Sequence, residues 1–165
     1  MRCYSQGVRP AIFLHHANRS GFCIARRLPD RLYAESRFCL CPSGEGFGDR
    51  LVRAMAAGCV PLIIQPSVQM PFEDLLPYEH FSIRVEPHRI PHLHLVLGAI
   101  TPETHARLRA GVRRFAAAFD WSVRGKGLAY EYTRSSLCLR AGLGQRGCER
   151  FRQRTAVRVG LEHTQ

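Results

Sequence analysis

Arg37-Phe38-Cys39-Leu40-Cys41-Pro42-Ser43-Gly44-Glu45-Gly46-Phe47-Gly48-Asp49-Arg50-Leu51-Val52-Arg53-Ala54-Met55 runs on into Ala56-Ala57-Gly58-Cys59-Val60-Pro61-Leu62-Ile63-Ile64-Gln65. The reading is strand, glycine-rich loop, helix, strand. Residues 37–41 are a short apolar run that stops at Pro42. Gly44, Gly46 and Gly48 take side chains out of a tight turn, and Asp49 suits the start of a helix. Leu51, Val52, Met55 and Ala56 fall on one predicted helical face. Gly58 marks the helix end, and Val60 to Ile64 reads as a strand covered on both sides.

A unit of this length predicts a right-handed crossover between two parallel strands. The glycine loop then lies at the carboxyl end of the first strand, where open α/β sheets bind ligands. Helix-terminal amides favour an anion there, and Arg50 adds a full positive charge. The strict dinucleotide and P-loop spacings are both absent. The glycines alone therefore leave two readings open, a phosphate-bearing ligand and a plain connecting loop.

Several ordered segments carry a family likeness. They are Tyr4-Ser5-Gln6-Gly7-Val8-Arg9, Ser36 to Gly44, Arg50-Leu51-Val52, Ala57 to Ile64, and Pro71-Phe72-Glu73-Asp74-Leu75-Leu76-Pro77-Tyr78. Together they resemble the exostosin family of glycosyltransferases, from about residue 4 to about residue 138. The resemblance implies an inverting transferase of the two-domain GT-B type. In that architecture the C-terminal Rossmann-like domain holds the nucleotide sugar, and the N-terminal domain supplies the acceptor and the catalytic base. The likeness covers the C-terminal half alone, so an incomplete C-terminal fragment is expected.

The resemblance also implies site roles. Arg9 and Arg50 would neutralise the donor diphosphate, and Ser43 and Gly44 would offer it amide or hydroxyl donors. Arg53 joins this donor-binding set. It stands where most of the family has a glutamate that holds the nucleotide ribose or base. A guanidinium cannot accept hydrogen bonds from ribose hydroxyls. The expected donor is a uridine diphosphate sugar and the expected acceptor a glycan or glycoprotein. No cofactor is expected, and the Golgi is the expected location.

Composition sets outer bounds. The chain has 165 residues, 45% of them hydrophobic, enough for one domain with its own core. Residues 1–140 are expected to form that domain and 141–165 a loosely ordered basic tail. The net charge is +11, and Lys126 is the only lysine among 24 basic residues. Such charge attracts polyanions, which supports a second function class: a non-catalytic, arginine-rich polyanion-binding fragment. The arginines are scattered without a basic–aromatic RNA-binding signature, so no nucleic acid partner is expected. A third class, a dinucleotide-dependent Rossmann enzyme, lacks the glycine fingerprint and an acidic residue after Ile64.

No apolar run approaches the roughly 20 residues of a membrane span, and the polar segment after Tyr4 leads to the expectation of no signal peptide. Seven cysteines show no paired metal spacing. Cys39 and Cys41 share a strand face, and Cys23, Cys39 and Cys59 read as small buried apolar residues. His88, His92 and His94 lie close together, but Pro91 interrupts them and no Cys or Asp completes a site, so no metal is expected. No Asp-x-Asp triplet exists, which fits GT-B rather than a metal–diphosphate clamp.

The remaining elements follow from periodicity. Residues 4–17 are predicted to form a turn and then a helix, with Pro10 at the first position of that helix. A short strand is predicted over Gly21–Ala25, a helix over Leu28–Glu35 and a strand over Phe81–Val85. A helical turn is predicted over Phe72–Leu76, capped by Glu73 and Asp74. Helices are predicted over 91–99, 102–119 and Gly127–Cys138. In the second of these, Leu108, Val112, Phe115 and Phe119 form one core stripe. Tyr130 and Tyr132 are both expected to be partly buried. Asn18-Arg19-Ser20 is a glycosylation sequon.

Overall fold

The computed structural model describes residues 4–25, 28–44, 49–122, 127–142 and 148. The chain divides into two compact units. One comprises residues 1–68 and 78–113, the other residues 69–77 and 114–165.

The first unit is an α/β, Rossmann-like arrangement built on a three-stranded parallel sheet in the order β1-β2-β3. Strand β1 is Phe38–Pro42, β2 is Val60–Ile64 and β3 is Ile83–Arg84. β1 and β2 pair in register from Phe38↔Val60 to Pro42↔Ile64, and β3 joins at Leu62↔Ile83. Every residue of β2 is buried, as a strand covered on both faces requires. β3 is shorter than its apolar pattern predicts. The backbone amides of Phe81 and Ser82 turn back to the Tyr78 carbonyl, which withdraws them from the ladder. Only Val85 extends the pairing, its amide donating to the Ile63 carbonyl at 2.9 Å.

Helices cover the sheet. Helix α1 is Val8–His16, α2 is Asp30–Glu35 and α3 is Asp49–Ala56. Val8 and Ile12 of α1 pack with Leu62 and Ile64 of β2, joined by Val85, Ile90 and Leu93. Ile63 points the other way by strand alternation and is also fully buried. Helix α3 lies against both β1 and β2. Its buried residues are Leu51, Ala54 and Met55, whereas Val52 and Ala56 are exposed. The apolar face is thus the three-and-four spacing through Ala54, rotated from the face predicted. Gly58, at φ 70°, ends α3 in the left-handed conformation that glycine tolerates best.

Several expectations are corrected. Pro10 is the third residue of α1, not the first. It still sits within the first turn, where its missing N–H leaves no bond unmade. Gly21–Ala25 does not join the sheet. Phe22 and Ile24 pack against the core, and a hollow of about 530 Å³ separates this segment from β1. Cys39 and Cys59 are not free thiols but a disulfide, with Cα atoms 5.9 Å apart. The pairing of β1 with β2 brings them together, because Cys59 immediately precedes β2. Cys23 is exposed rather than buried. Short helical segments follow the sheet: a 3-10 helix Pro87–His92, then α4 at Leu93–Gly98. Helix α5 is Pro102–Phe115, continued by a 3-10 turn at Ala116–Phe119. Its stripe of Leu108, Val112, Phe115 and Phe119 is buried throughout.

The second unit carries α6, Ala129–Arg140. Phe72 rests against Phe119 and Tyr132, with ring centroids 5.8 and 5.5 Å apart. Tyr132 is fully buried, whereas Tyr130 is 60% exposed, so the two tyrosines do not share an environment. Residues 71–75 form turns, and the Leu76 amide donates to the Phe72 carbonyl at 2.8 Å, closing one helical turn over the predicted span. The Glu73 carboxylate accepts from the Met70 amide at 2.7 Å, and Asp74 accepts from the Ser136 hydroxyl at 2.7 Å. The acidic pair therefore fastens a loop. A second disulfide joins Cys138 to Cys148. Of the basic tail, only residues 141, 142 and 148 are described. No helix among the described residues is long and apolar enough to cross a membrane.

Candidate functional site

The site begins with an unusual turn. Tyr4–Gly7 is a 3-10 turn in which Ser5, Gln6 and Gly7 take φ values of 57°, 53° and 77°. Non-glycine residues enter this left-handed region at a cost, which concentrates such residues at functional sites. The turn buries Ser5 and aims its hydroxyl at the start of α1, where it accepts from the Arg9 amide at 3.2 Å. Ser5 thereby satisfies one of the orphan donors of the helix. Arg9 is held at a fixed point on the first turn of α1.

The Arg9 side chain reaches the end of β1. Its Nε donates to the Ser43 carbonyl at 3.0 Å, across 34 residues of sequence. Its guanidinium lies against Gly44, where a Cβ would come within 2.7 Å of an Arg9 terminal nitrogen. The absence of a side chain at Gly44 is what admits the guanidinium. Ser43 is buried, and both its amide and its hydroxyl donate to the Ile64 carbonyl, at 3.0 and 3.2 Å. Those donors are thus committed to joining β1 to β2. Sequence reasoning offers them to a phosphate; the structure gives Ser43 the task of placing Arg9 through its carbonyl.

Arg50, in the first turn of α3, lines the same hollow as Arg9. This hollow measures about 590 Å³, within the roughly 300–1,000 Å³ of small-molecule clefts. Its walls include Phe13, Ile24, Leu40 and Pro42 beside the two arginines. Arg50 also bears on Cys41, which is buried and free. Burial pushes the Cys41 thiol up to about 12. The Arg50 charge opposes that rise, and Asp49 adds to it. Cys41 is therefore a neutral, buried thiol and not a nucleophile.

Arg53 lies elsewhere. It donates to Asp49 at 3.1 Å and to Asp30 at 3.2 Å, and is not among the residues lining the Arg9–Arg50 hollow. The structure brings Arg9, Ser43, Gly44 and Arg50 together and leaves Arg53 between two carboxylates. Residues 45–48, the centre of the expected amide cradle, lie outside the described residues.

The apolar walls at Phe13, Ile24 and Leu40 were not expected as site residues. Phe13 reads in the sequence as core and Leu40 as strand, because nothing in periodicity distinguishes a core wall from a hollow wall. Among the described residues, no three His, Cys, Asp or Glu side chains are grouped to hold a metal. His94 instead approaches His16, with ring centroids 6.0 Å apart. Desolvation, with Arg19, His16 and His92 nearby, holds the His94 imidazolium below its usual range. The buried His16 donates from Nε2 to the Ile90 carbonyl at 2.6 Å, a core contact that ties α1 to the segment after β3.

Comparison with known proteins places this geometry in context. The Exostosin GT47 domain profile matches residues 2–100, which contain Arg9, Ser43, Gly44 and Arg50. A probable glycosyltransferase of Arabidopsis thaliana is 38% identical over 114 residues, covering 65% of this chain and 24% of the relative. Probable beta-1,4-xylosyltransferase IRX10L of the same plant is 33% identical over 108 residues, covering 63% and 26%. Probable glucuronosyltransferase GUT1 of Oryza sativa subsp. japonica is 32% identical over 111 residues, covering 65% and 27%. The chain spans about a quarter of the length of these relatives. With the matched profile covering more than half of its residues, the chain belongs to the exostosin GT47 family.

Proposed function

We propose that the hollow lined by Arg9 and Arg50 binds the diphosphate of a nucleotide sugar, and that this chain serves glycosyl transfer as the donor-binding part of an exostosin-type transferase. The convergence of two guanidinium groups, 41 positions apart in sequence, on one hollow at the carboxyl end of β1 carries this reading. Fork-shaped guanidinium groups suit phosphate oxygens, and Arg9 is already oriented by Ser43. The apolar walls would take the flat or hydrophobic parts of the donor.

In the reaction, an acceptor hydroxyl oxygen attacks the anomeric carbon, its proton passes to a catalytic base of the transferase's other domain, and the bond from the anomeric carbon to the diphosphate breaks. The attack inverts the anomeric centre. The residues named here act on the leaving group: Arg9 and Arg50 stabilise the negative charge that grows on the diphosphate. Arg53 contributes indirectly, by holding the Asp49 carboxylate away from the incoming anion. The acceptor is a glycan or glycoprotein, and the setting is the Golgi lumen. Two disulfides support an oxidising compartment.

Calorimetric titration with uridine diphosphate tests the reading. Saturable heat is expected, and Arg50→Ala should weaken binding roughly tenfold or more, as expected for one charge-assisted contact. Heat that Arg50→Ala leaves unchanged, or no heat at millimolar nucleotide, would defeat it. Steeply salt-dependent heparin binding without any nucleotide effect would favour the polyanion-binding fragment instead.

A further inference from the structure

Asn18-Arg19-Ser20 satisfies the acceptor pattern for N-linked glycosylation, its middle residue not being proline. Chance produces many such triplets, so position and compartment must decide. Helix α1 ends at His16, and the chain then turns sharply. The Arg19 amide donates to the His16 carbonyl at 3.2 Å, and the Phe22 amide to the Arg19 carbonyl at 3.1 Å. Asn18, Arg19 and Ser20 are all exposed on this turn.

The compartment follows from an independent observation. Cys39–Cys59 and Cys138–Cys148 are disulfides, and such bonds persist in oxidising compartments, where the glycosylation machinery also acts. We infer that Asn18 carries an N-linked glycan, a step that rests on the luminal setting of the proposed function. An oligosaccharide moves from its lipid-linked diphosphate to the Asn18 side-chain nitrogen. A carbon–nitrogen bond forms, the glycosyl–phosphate bond breaks and the amide gives up a proton. Asn18 follows the last turn of α1, whereas Arg9 sits in its first. Asn18 is not among the residues that line either hollow described above.

The test expresses the full chain behind a cleavable secretory leader in eukaryotic cells. The secreted or luminal product is then digested with peptide-N-glycosidase and its peptides are weighed. Loss of glycan mass with conversion of Asn18 to Asp is expected, and both Asn18→Gln and Ser20→Ala should abolish the shift. A luminal chain with Cys39–Cys59 oxidised but Asn18 unmodified would overturn the inference. Uridine diphosphate titration of the glycosylated chain separates the two claims, because a glycosylated chain that binds no nucleotide overturns only the donor-binding reading.

Discussion

The two ends of the β1–β2 pair are built differently. Near the amino end, Cys39 is bonded to Cys59, the residue just before β2, and the Arg37 carbonyl accepts from His105 at 3.0 Å. At the carboxyl end no covalent tie exists among the described residues. Arg9 and Arg50 instead line a shared hollow, and the nearby Cys41 is a buried thiol outside any disulfide. The disulfide at one end, and both Ser43 donors committed to the Ile64 carbonyl at the other, join the two strands.

The largest effect should come from untying the amino end. Cys39→Ser with Cys59→Ser removes a cross-link that closes 20 residues of sequence, and about 3 kcal/mol of stability should go with it. Chemical denaturation of the double variant measures this. An unchanged midpoint would show that the bond contributes nothing to holding the strands.

The carboxyl end should respond to alkali. The Cys41 thiol is raised from 9.0 to about 12, chiefly by burial. Between those values the unfolded chain loses this proton and the folded chain keeps it, so stability falls as pH rises from about 9 towards 12. It is fully present below about 9. The slope from this group is about 1.4 kcal/mol per pH unit. Cys41→Ala should flatten that limb of a denaturation series; an unaltered limb would show that Cys41 is not sealed from solvent.

Gly44→Ala should act on binding more than on folding. A methyl group there meets only the far end of Arg9, so the guanidinium shifts and the backbone stays. Nucleotide affinity should fall severalfold with little change in melting temperature. Equal affinity would show that Arg9 need not lie where it does.

Arg53→Ala should have the smallest effect. Its partners are exposed, and exposed ion pairs contribute about 0–1 kcal/mol. Affinity for uridine diphosphate should change less than twofold. A loss as large as that of Arg50→Ala would place Arg53 on the ligand and erase the contrast between the two arginines of α3.

The comparison also shows where sequence reasoning succeeds. Val60–Ile64 was legible as a doubly covered strand because five consecutive apolar residues between turn signals leave little else. Gly58 was legible because helix ends favour left-handed glycine. Phe81–Val85 was misjudged in length because the Tyr78 carbonyl captures the first two amides, a competition that alternation does not reveal. The disulfide escaped because cysteine spacing within apolar runs looks the same for a buried thiol and a bridge. Arg50 is legible from its place after the glycine loop, at a helix start, whereas Arg9 stands out only by family likeness and otherwise reads as a surface arginine.

The amino-acid order by itself settled the strand–loop–helix–strand unit, its parallel pairing and the family to which it belongs. These are local properties: apolar runs, glycine punctuation and motif spacing act over a few residues. The tertiary structure decided which arginine meets the hollow, which meets a carboxylate, and which cysteines join. Those outcomes depend on distances between elements far apart in the chain, set by how α1, α3 and the strands pack. No local pattern encodes such distances.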